Sequence, residues 1–240
     1  GGFGSNIEMR KEYNPEMDEK ILSTCSPGST GDGIVMAEKI GAATVDLSYI
    51  QTYPLCDVVS GGLLYVDDAR LYGFSILVNA EGKRFVNELG RRDVLSKAIL
   101  SQTGGVCYEV MDQSAFEEAK IMENHGGEVA YLTANKGLVK ADTLEEAAKL
   151  ANIDVETLKA TIDTYNGYVA AGSDPEQNRG GKLRTIAEGP FYLQKVAPAT
   201  HHTMGGVVIN TNAQVLNEKG ETISGLYAAG EVTGGIHGGN

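Results

Sequence analysis

Two adjacent histidines are the residues in this sequence best suited to chemistry. His201 and His202 lie in the run THHTMGG at positions 200–206, and the whole chain has only four histidines. An imidazole can donate a hydrogen bond to a carboxylate or to a cofactor, and it titrates near neutral pH. Gly205 and Gly206 would let the backbone approach a ligand closely. A binding site is therefore one interpretation of this run, and a polar loop ahead of the apolar strand at 207–209 is the other.

A second group of charged residues lies in the middle of the chain. The run GKRFVNE at 82–88 is followed by Arg91, Arg92 and Asp93, and the run VDDAR at 66–70 contains Asp67, Asp68 and Arg70. A buried carboxylate beside an arginine can relay protons. On the residues alone, the run at 82–88 could equally be a strand with an exposed turn. Arg91 and Arg92 could be surface charge at a helix start, and Asp67 and Asp68 could belong to a turn.

Three runs together carry a family resemblance. They are TGDGIVMAEKIGA at 30–42, THHTMGG at 200–206 and the glycine-rich run GLYAAGEVTGGIHGGN at 225–240. They resemble the flavin-domain signature of the fumarate reductase family of soluble flavocytochromes, which includes urocanate reductases. The resemblance implies FAD as the cofactor. It also implies that His201 binds substrate, that His202 contacts the flavin and that Glu231 holds the FAD ribose.

The same resemblance assigns the proton transfer. In that family the arginine at the position of Arg92 protonates the substrate carbon, while the reduced flavin delivers a hydride to the other alkene carbon. A carboxylate and an arginine supply the proton relay, and we place them at Asp68 and Arg70. The spacing in 66–70 differs from the fumarate reductase pattern, so the mapping of this relay stays open, as does the choice between Asp67 and Asp68 as the residue that contacts the substrate.

The substrate prediction depends on Tyr53. Fumarate reductases have His-Pro where this chain has Tyr53 and Pro54, and they have Thr-Glu where it has Asp67 and Asp68. A tyrosine and an aspartate suit an imidazole ring better than a second carboxylate, because the aspartate accepts from a ring N–H. We therefore expect reduction of urocanate to imidazole propionate. A fumarate or aryl-acrylate reductase and a non-catalytic binding module are the alternatives.

The resemblance predicts an α+β architecture, with a capping (clamp) domain inserted in part of an α/β FAD-binding domain. We expect flavin-domain segments at 1–50 and 190–240 and the capping domain at 51–189. The local patterns predict a helix over 34–41 capped by Asp32, a hairpin over 76–87, helices over 88–102 and 114–124, and a loop over 172–185.

Composition excludes several other classes of function. The net charge of −12 leaves no basic stripe for nucleic acid. No run approaches the ~20 apolar residues of a membrane span, and the three cysteines have no metal-ligand spacing. The Gly-x-Gly-x-x-Gly fingerprint for the FAD pyrophosphate is absent, and the family's substrate-binding arginine would follow Asn240 directly. We therefore expect a piece of a longer protein, which in isolation neither holds FAD tightly nor turns over; the sequence does not identify its electron donor.

Overall fold

The computed structural model describes residues 1–64, 66 and 68–239, and its helices and strands divide into two compact units. The first unit combines Gly1–Tyr53 with the chain from Ala199 onward, and the second is Pro54–Pro198. The polypeptide passes from one unit to the other within two strands, Ile50–Asp57 and Phe191–Thr203. Among the described helices, none combines the length and apolar character that crossing a membrane requires.

The first unit is built from short elements. They are α1 (Ile7–Tyr13), β1 (Leu22–Ser23), α2 (Asp32–Glu38), β2 (Thr44–Val45), the start of β3 (Ile50–Asp57), the end of β7 (Phe191–Thr203), β8 (Gly206–Val207), β9 (Gln214–Leu216) and β10 (Thr222–Tyr227). Strand β1 pairs in parallel with β7, while β2 pairs antiparallel with β8, and β9 with β10. Phe3, Met9 and Ile34 are at the centre of the apolar core beneath α1 and α2.

The second unit is organised around an antiparallel sheet. Its elements are α3 (Asp68–Leu71), β4 (Ile76–Val78), α4 (Arg92–Leu100), β5 (Cys107–Asp112), α5 (Gln113–Glu118), α6 (Ile121–Ala134), β6 (Leu138–Ala141), α7 (Leu144–Ala151), α8 (Val155–Ala171) and the first part of β7. Strand β5 pairs with β4 and β7, and β6 also pairs with β7. Thr143 and Asp154 cap α7 and α8 by accepting from the backbone N–H three residues on.

Both faces of this sheet are covered. Tyr108 and Val110 of β5 belong to a core cluster with residues of α7 and α8, whereas Met111 belongs to a second cluster with residues of α5 and α6. Successive side chains of a strand point to opposite faces. Every residue of β5 is consequently buried, including the carboxylates Glu109 and Asp112.

Four charged side chains form a fully buried cluster beside the sheet. They are Arg84, Glu88, Asp174 and Arg179, and we call them the ion cluster. Arg84 Nε donates to Glu88 Oε1 at 2.7 Å and Arg84 NH2 to Asp174 Oδ2 at 2.6 Å, while Arg179 NH1 reaches Glu88 Oε2 at 3.2 Å. The four side chains are shielded from solvent and their formal charges cancel. The ring of Tyr165 lies 5.1 Å from the Arg84 guanidinium carbon, within cation–π range.

Burial and hydrogen bonding shift the pKa of Asp174 in opposite directions. Burial by itself raises the pKa of a carboxyl group, but the bond from Arg84 and the backbone N–H groups of Gln177 and Glu176 outweigh burial and hold the pKa of Asp174 below its ordinary value. Because the folded pKa is depressed, this group stabilises the fold above its unfolded pKa. The contribution is lost as the pH falls through the folded pKa.

The helix that carries Arg92 is shorter than the sequence pattern predicts. A helix over 88–102 was expected, but α4 begins at Arg92, because the Glu88 side chain is used in the ion cluster and Gly90 closes a turn onto Asn87. The helix expected over 114–124 is instead two helices. They are α5 and α6, separated where Lys120 takes a φ of 53°.

Two local predictions in the strand and cap regions were also wrong. Gly31, with a φ of 81°, is the N-cap of α2, and Asp32 is its first helical residue. The predicted hairpin over 76–87 is limited to one bridge between Val78 and Arg84, since β4 takes β5 as its partner. The turn that joins these segments does form, with Gly82 at a φ of 79°.

We expect that Glu88→Gln lowers the free energy of unfolding by about 3–5 kcal/mol, because the change leaves two buried guanidinium groups with one carboxylate. Chemical denaturation of the purified protein measures the loss. Glu145→Gln is the matched control, since Glu145 pairs with Lys149 at 2.7 Å on the exposed surface; it should have no measurable effect. Equal stability of the two variants would contradict a structural role for the ion cluster.

Candidate active site

His201 is held by two side chains of the first unit. The hydroxyl of Thr24 lies 2.8 Å from His201 Nδ1, and the ring of Tyr53 lies 5.5 Å from the imidazole centroid at an interplanar angle of 56°. Tyr53 is buried, whereas His201 is half-buried. The structure therefore brings together Tyr53 and His201, which the sequence analysis selected and which lie 148 positions apart in the chain. Thr24 is a third residue beside them.

His202, next along the strand, has a buried nitrogen suited to a ligand. Its Nδ1 atom is shielded from solvent and has no hydrogen-bond partner within the part of the chain that the structure describes. The ring of His237 packs edge-on against it, with centroids 5.4 Å apart. A buried polar atom without a partner is costly, so this nitrogen fits a contact with a bound cofactor.

Glu231 is tied to the end of β7. Its Oε1 atom accepts from the backbone N–H of Thr203 at 2.9 Å and from the Thr203 hydroxyl at 3.1 Å. The Thr203 hydroxyl also accepts from the backbone N–H of Phe3 at 3.3 Å. These bonds use one carboxylate oxygen and fix its orientation, which is the arrangement needed to hold the hydroxyl groups of a ribose.

Glycines allow backbone segments to pack closely beside this strand end. A Cβ added at Gly206 would lie 2.2 Å from the carbonyl oxygen of Val232, and one added at Gly205 would lie 2.3 Å from the carbonyl oxygen of Asp46. The obstructing atoms are backbone, so they cannot rotate away. Glycine is thus required at 206 if β8 is to lie against residues 232–234, where Val207 N donates to Val232 O at 2.9 Å, and at 205 if the chain is to pass Asp46.

In the second unit, Arg92 is the first residue of α4 and its side chain is exposed. The neighbouring Arg91 binds Asp93 through two hydrogen bonds, Nε to Oδ1 at 3.0 Å and NH2 to Oδ2 at 2.6 Å. The bond from Arg91 lowers the pKa of Asp93. Asp93, the aspartate that the motif places after Arg92, is therefore paired with the preceding arginine.

Arg70 is buried at the end of α3. Its NH1 atom donates to the backbone oxygen of Glu88 at 2.7 Å, and its Nε atom is buried without a hydrogen-bond partner among residues 1–64, 66 and 68–239. Asp67 lies outside the described residues, and so does the side chain of Asp68, whose backbone begins α3. The relay carboxylate at Asp68 therefore remains a prediction, and so does the contact of Asp67 or Asp68 with the substrate ring.

Two residues around His201 have no signal in the sequence. Thr24 follows β1, and Arg10 is almost fully buried in α1, where its NH1 atom donates to the Thr200 hydroxyl at 2.7 Å. Burial lowers the pKa of Arg10. Neither position belongs to a motif: the parallel pairing of β1 with β7 brings Thr24 to His201, and the side chain of Arg10 reaches Thr200 from α1.

The whole chain matches a protein-family model described as an FAD binding domain, over residues 1–240. Among curated relatives, it is 49% identical over 234 residues to a urocanate reductase of Eggerthella lenta, covering 98% of this chain and 39% of that protein. It is 42% identical over 240 residues to a fumarate reductase (cytochrome) of Shewanella frigidimarina, covering 100% of this chain and 40% of the relative. It therefore spans about two fifths of the length of these relatives.

Solved structures give a consistent result. The open conformation of a flavocytochrome c3 fumarate reductase is similar over 100% of this chain and 41% of its own length, with a TM-score of 0.84 and 40% identity. The 3-ketosteroid Δ1-dehydrogenase of Sterolibacterium denitrificans is similar over 98% of this chain and 46% of its own, with a TM-score of 0.74 and 26% identity.

We expect that Gly206→Ala in the full-length protein lowers the amount of FAD retained after purification, because the added methyl group would displace the backbone around Val232. Flavin absorbance per protein chain measures the loss. Gly28→Ala is the control, since a Cβ there would approach no atom closer than 3.8 Å. If both variants retain FAD as the wild type does, close packing of these backbone segments is not required for cofactor binding.

Proposed function

The chain belongs to the FAD-binding domain family, and from that premise we propose that it takes part in the FAD-dependent reduction of an unsaturated carboxylic acid, with urocanate as the substrate. The similarity to urocanate and fumarate reductases over nearly the entire chain supports reduction of an unsaturated acid. We also assign the second unit, Pro54–Pro198, as a substrate-capping domain.

The observation that carries the choice of urocanate is the contact between Tyr53 and His201. A carboxylate bound by His201 would be accompanied by an aromatic face and a phenol from Tyr53, whose ring lies 5.5 Å away. Urocanate has one carboxylate and an imidazole ring, and an imidazole can stack on or bond to a tyrosine. Fumarate offers a second carboxylate, which a buried phenol binds less well than a cationic group.

The proposed cofactor contacts agree with the donors and acceptors that the first unit provides. His202 would contact the flavin through its buried Nδ1, and Glu231 would hold the ribose through the oxygen that Thr203 does not use. When bound, reduced FAD supplies a hydride to one alkene carbon. The protein must then bind and orient the substrate and provide a proton to the other carbon.

Arg92 is the proposed proton donor. A guanidinium has an intrinsic pKa above ~12, so it needs a nearby relay that restores the proton after transfer. We assign this relay to Arg70 with Asp68. The buried Nε of Arg70 has a hydrogen to donate for which the described part of the chain provides no acceptor, consistent with such a role.

In the full-length enzyme, Arg92→Gln should leave FAD content unchanged and lower turnover by about 10²–10⁴-fold, the range that general acid catalysis supplies. Steady-state assays of alkene loss with an artificial reductant measure this. Arg91→Gln is the matched control, because Arg91 is the exposed partner of Asp93. A comparable loss in the control, or more than about a tenth of wild-type activity in Arg92→Gln, would mean that another group donates the proton.

Substrate choice is tested by comparing urocanate with fumarate and with a plain acrylate that lacks ring nitrogens. Removing an aspartate that accepts from the imidazole costs ~1–3 kcal/mol, so Asp68→Ala should lower kcat/KM for urocanate by about ten- to a hundredfold more than for the acrylate. Asp67→Ala distinguishes the two candidate positions. Preference of the wild type for fumarate, or no discrimination in either variant, would overturn the assignment of urocanate.

A further inference from the structure

Thr24 makes a set of contacts that no sequence motif assigns to a function. Its backbone N–H donates to the oxygen of Thr200 at 2.8 Å, and its hydroxyl lies 2.8 Å from His201 Nδ1. The parallel register that pairs Ser23 with Thr200 places Thr24 beside the histidine. Both the backbone and the side chain of Thr24 are thereby fixed against the strand that carries His201.

We propose that Thr24 is a positioning residue for substrate binding: its hydroxyl donates to Nδ1 of His201 and so presents Nε2–H to the substrate carboxylate. This inference rests on the proposed function, because it assumes that His201 binds that carboxylate. In a neutral imidazole one nitrogen donates and the other accepts. The hydrogen bond made at one nitrogen therefore determines which nitrogen carries the proton.

The direction of the hydrogen bond follows from the acceptors around Thr24. The hydroxyl has a single proton, and within the described part of the chain its two hydrogen-bond contacts are with His201 Nδ1 at 2.8 Å and the Thr200 oxygen at 3.3 Å. The Thr200 oxygen already accepts from the Thr24 backbone N–H. The shorter contact to Nδ1 is the better-formed hydrogen bond, so the proton belongs to it and Nδ1 is the acceptor.

Further contacts keep this arrangement in one orientation. Tyr53 packs against the imidazole at an angle of 56°, which limits the tilt of the ring. Arg10 donates to the Thr200 hydroxyl at 2.7 Å and to the backbone oxygen of Ile21 at 2.9 Å, so it ties residue 200 to the segment before Thr24. Together these contacts fix the histidine before substrate arrives, which reduces the entropy lost on binding.

Kinetics of the full-length enzyme with two substitutions test the proposal. Thr24→Val keeps the shape but removes the hydroxyl, and it should lower kcat/KM for the unsaturated acid by about tenfold or more, mainly through a higher KM, since a hydrogen bond to a charged group is weakened. Thr24→Ser keeps the hydroxyl and should restore most of the loss. Thr222→Val is the control, because Thr222 is exposed on β10 and lies outside the three motif runs.

The protonation pattern of His201 gives a readout that does not depend on turnover. In protein labelled with ¹⁵N-histidine, the His201 signals are identified as those that disappear in His201→Gln. In the neutral form of the ring we expect a protonated Nε2 and an unprotonated Nδ1, and Thr24→Val should shift the Nδ1 resonance. A protonated Nδ1 in the wild type, or a Thr24→Val variant with unchanged spectrum and kinetics, would overturn the proposal.

The two measurements separate this inference from the function on which it rests. If the wild-type enzyme reduces no unsaturated acid, the proposed function fails, while the spectrum still decides whether Thr24 donates to His201. If the enzyme is active but Thr24→Val retains its full kcat/KM, the positioning role fails and the function stands. Because the wild-type spectrum needs only His201→Gln for its assignment, the test remains decisive even if Thr24→Val does not fold.

Discussion

The backbone pairing of strand β7 is the constraint on which both units depend. In the second unit, residues 191–196 of β7 pair with β5, and part of the same stretch pairs with β6. In the first unit, Ala199 and Thr200 pair with β1. A shift of one residue in a strand exchanges the side chains on its two faces. The register of β7 therefore decides both the core of the second unit and the direction in which His201 and His202 point.

The ion cluster allows charged residues of a loop to be buried in the second unit. Loops carry polar backbone groups and seldom enter a protein interior, yet the segment after α8 places Asp174 and Arg179 in full burial. Arg84 and Glu88 neutralise them, and Arg179 also donates to the backbone oxygen of Ser75 at 2.8 Å. The cluster thus fixes a long irregular loop against β4 and the segment that leads into α4.

The side chain of His201 is held in a fixed orientation, whereas the charged side chain of Arg92 is exposed. The histidine is oriented by Thr24, which follows β1, and by Tyr53 of β3, and Glu231 is oriented by Thr203. Arg92, by contrast, is exposed at a helix start. A group that binds a carboxylate benefits from a fixed orientation. A proton donor must come within hydrogen-bond reach of the group that it protonates.

The sequence by itself determined the family, the cofactor and the local elements with strong caps. The motifs at 30–42, 200–206 and 225–240 predicted an FAD-binding protein, and the family match over residues 1–240 confirms this. The capped helices α7 and α8 were also predictable, because Thr143 and Asp154 act within three residues of their own position. The mixed α and β content was expected as well; the capping role of the middle segment is still a prediction.

Tertiary structure alone decided the contacts between residues far apart in the chain. It selected Thr24 as the partner of His201 and brought Asp174 to Arg84. It also made Arg91 the last residue before α4, since Glu88 is held by the ion cluster. The physical reason is that caps and motifs depend on neighbouring residues, whereas these partners depend on strand register and on which buried charges can neutralise each other.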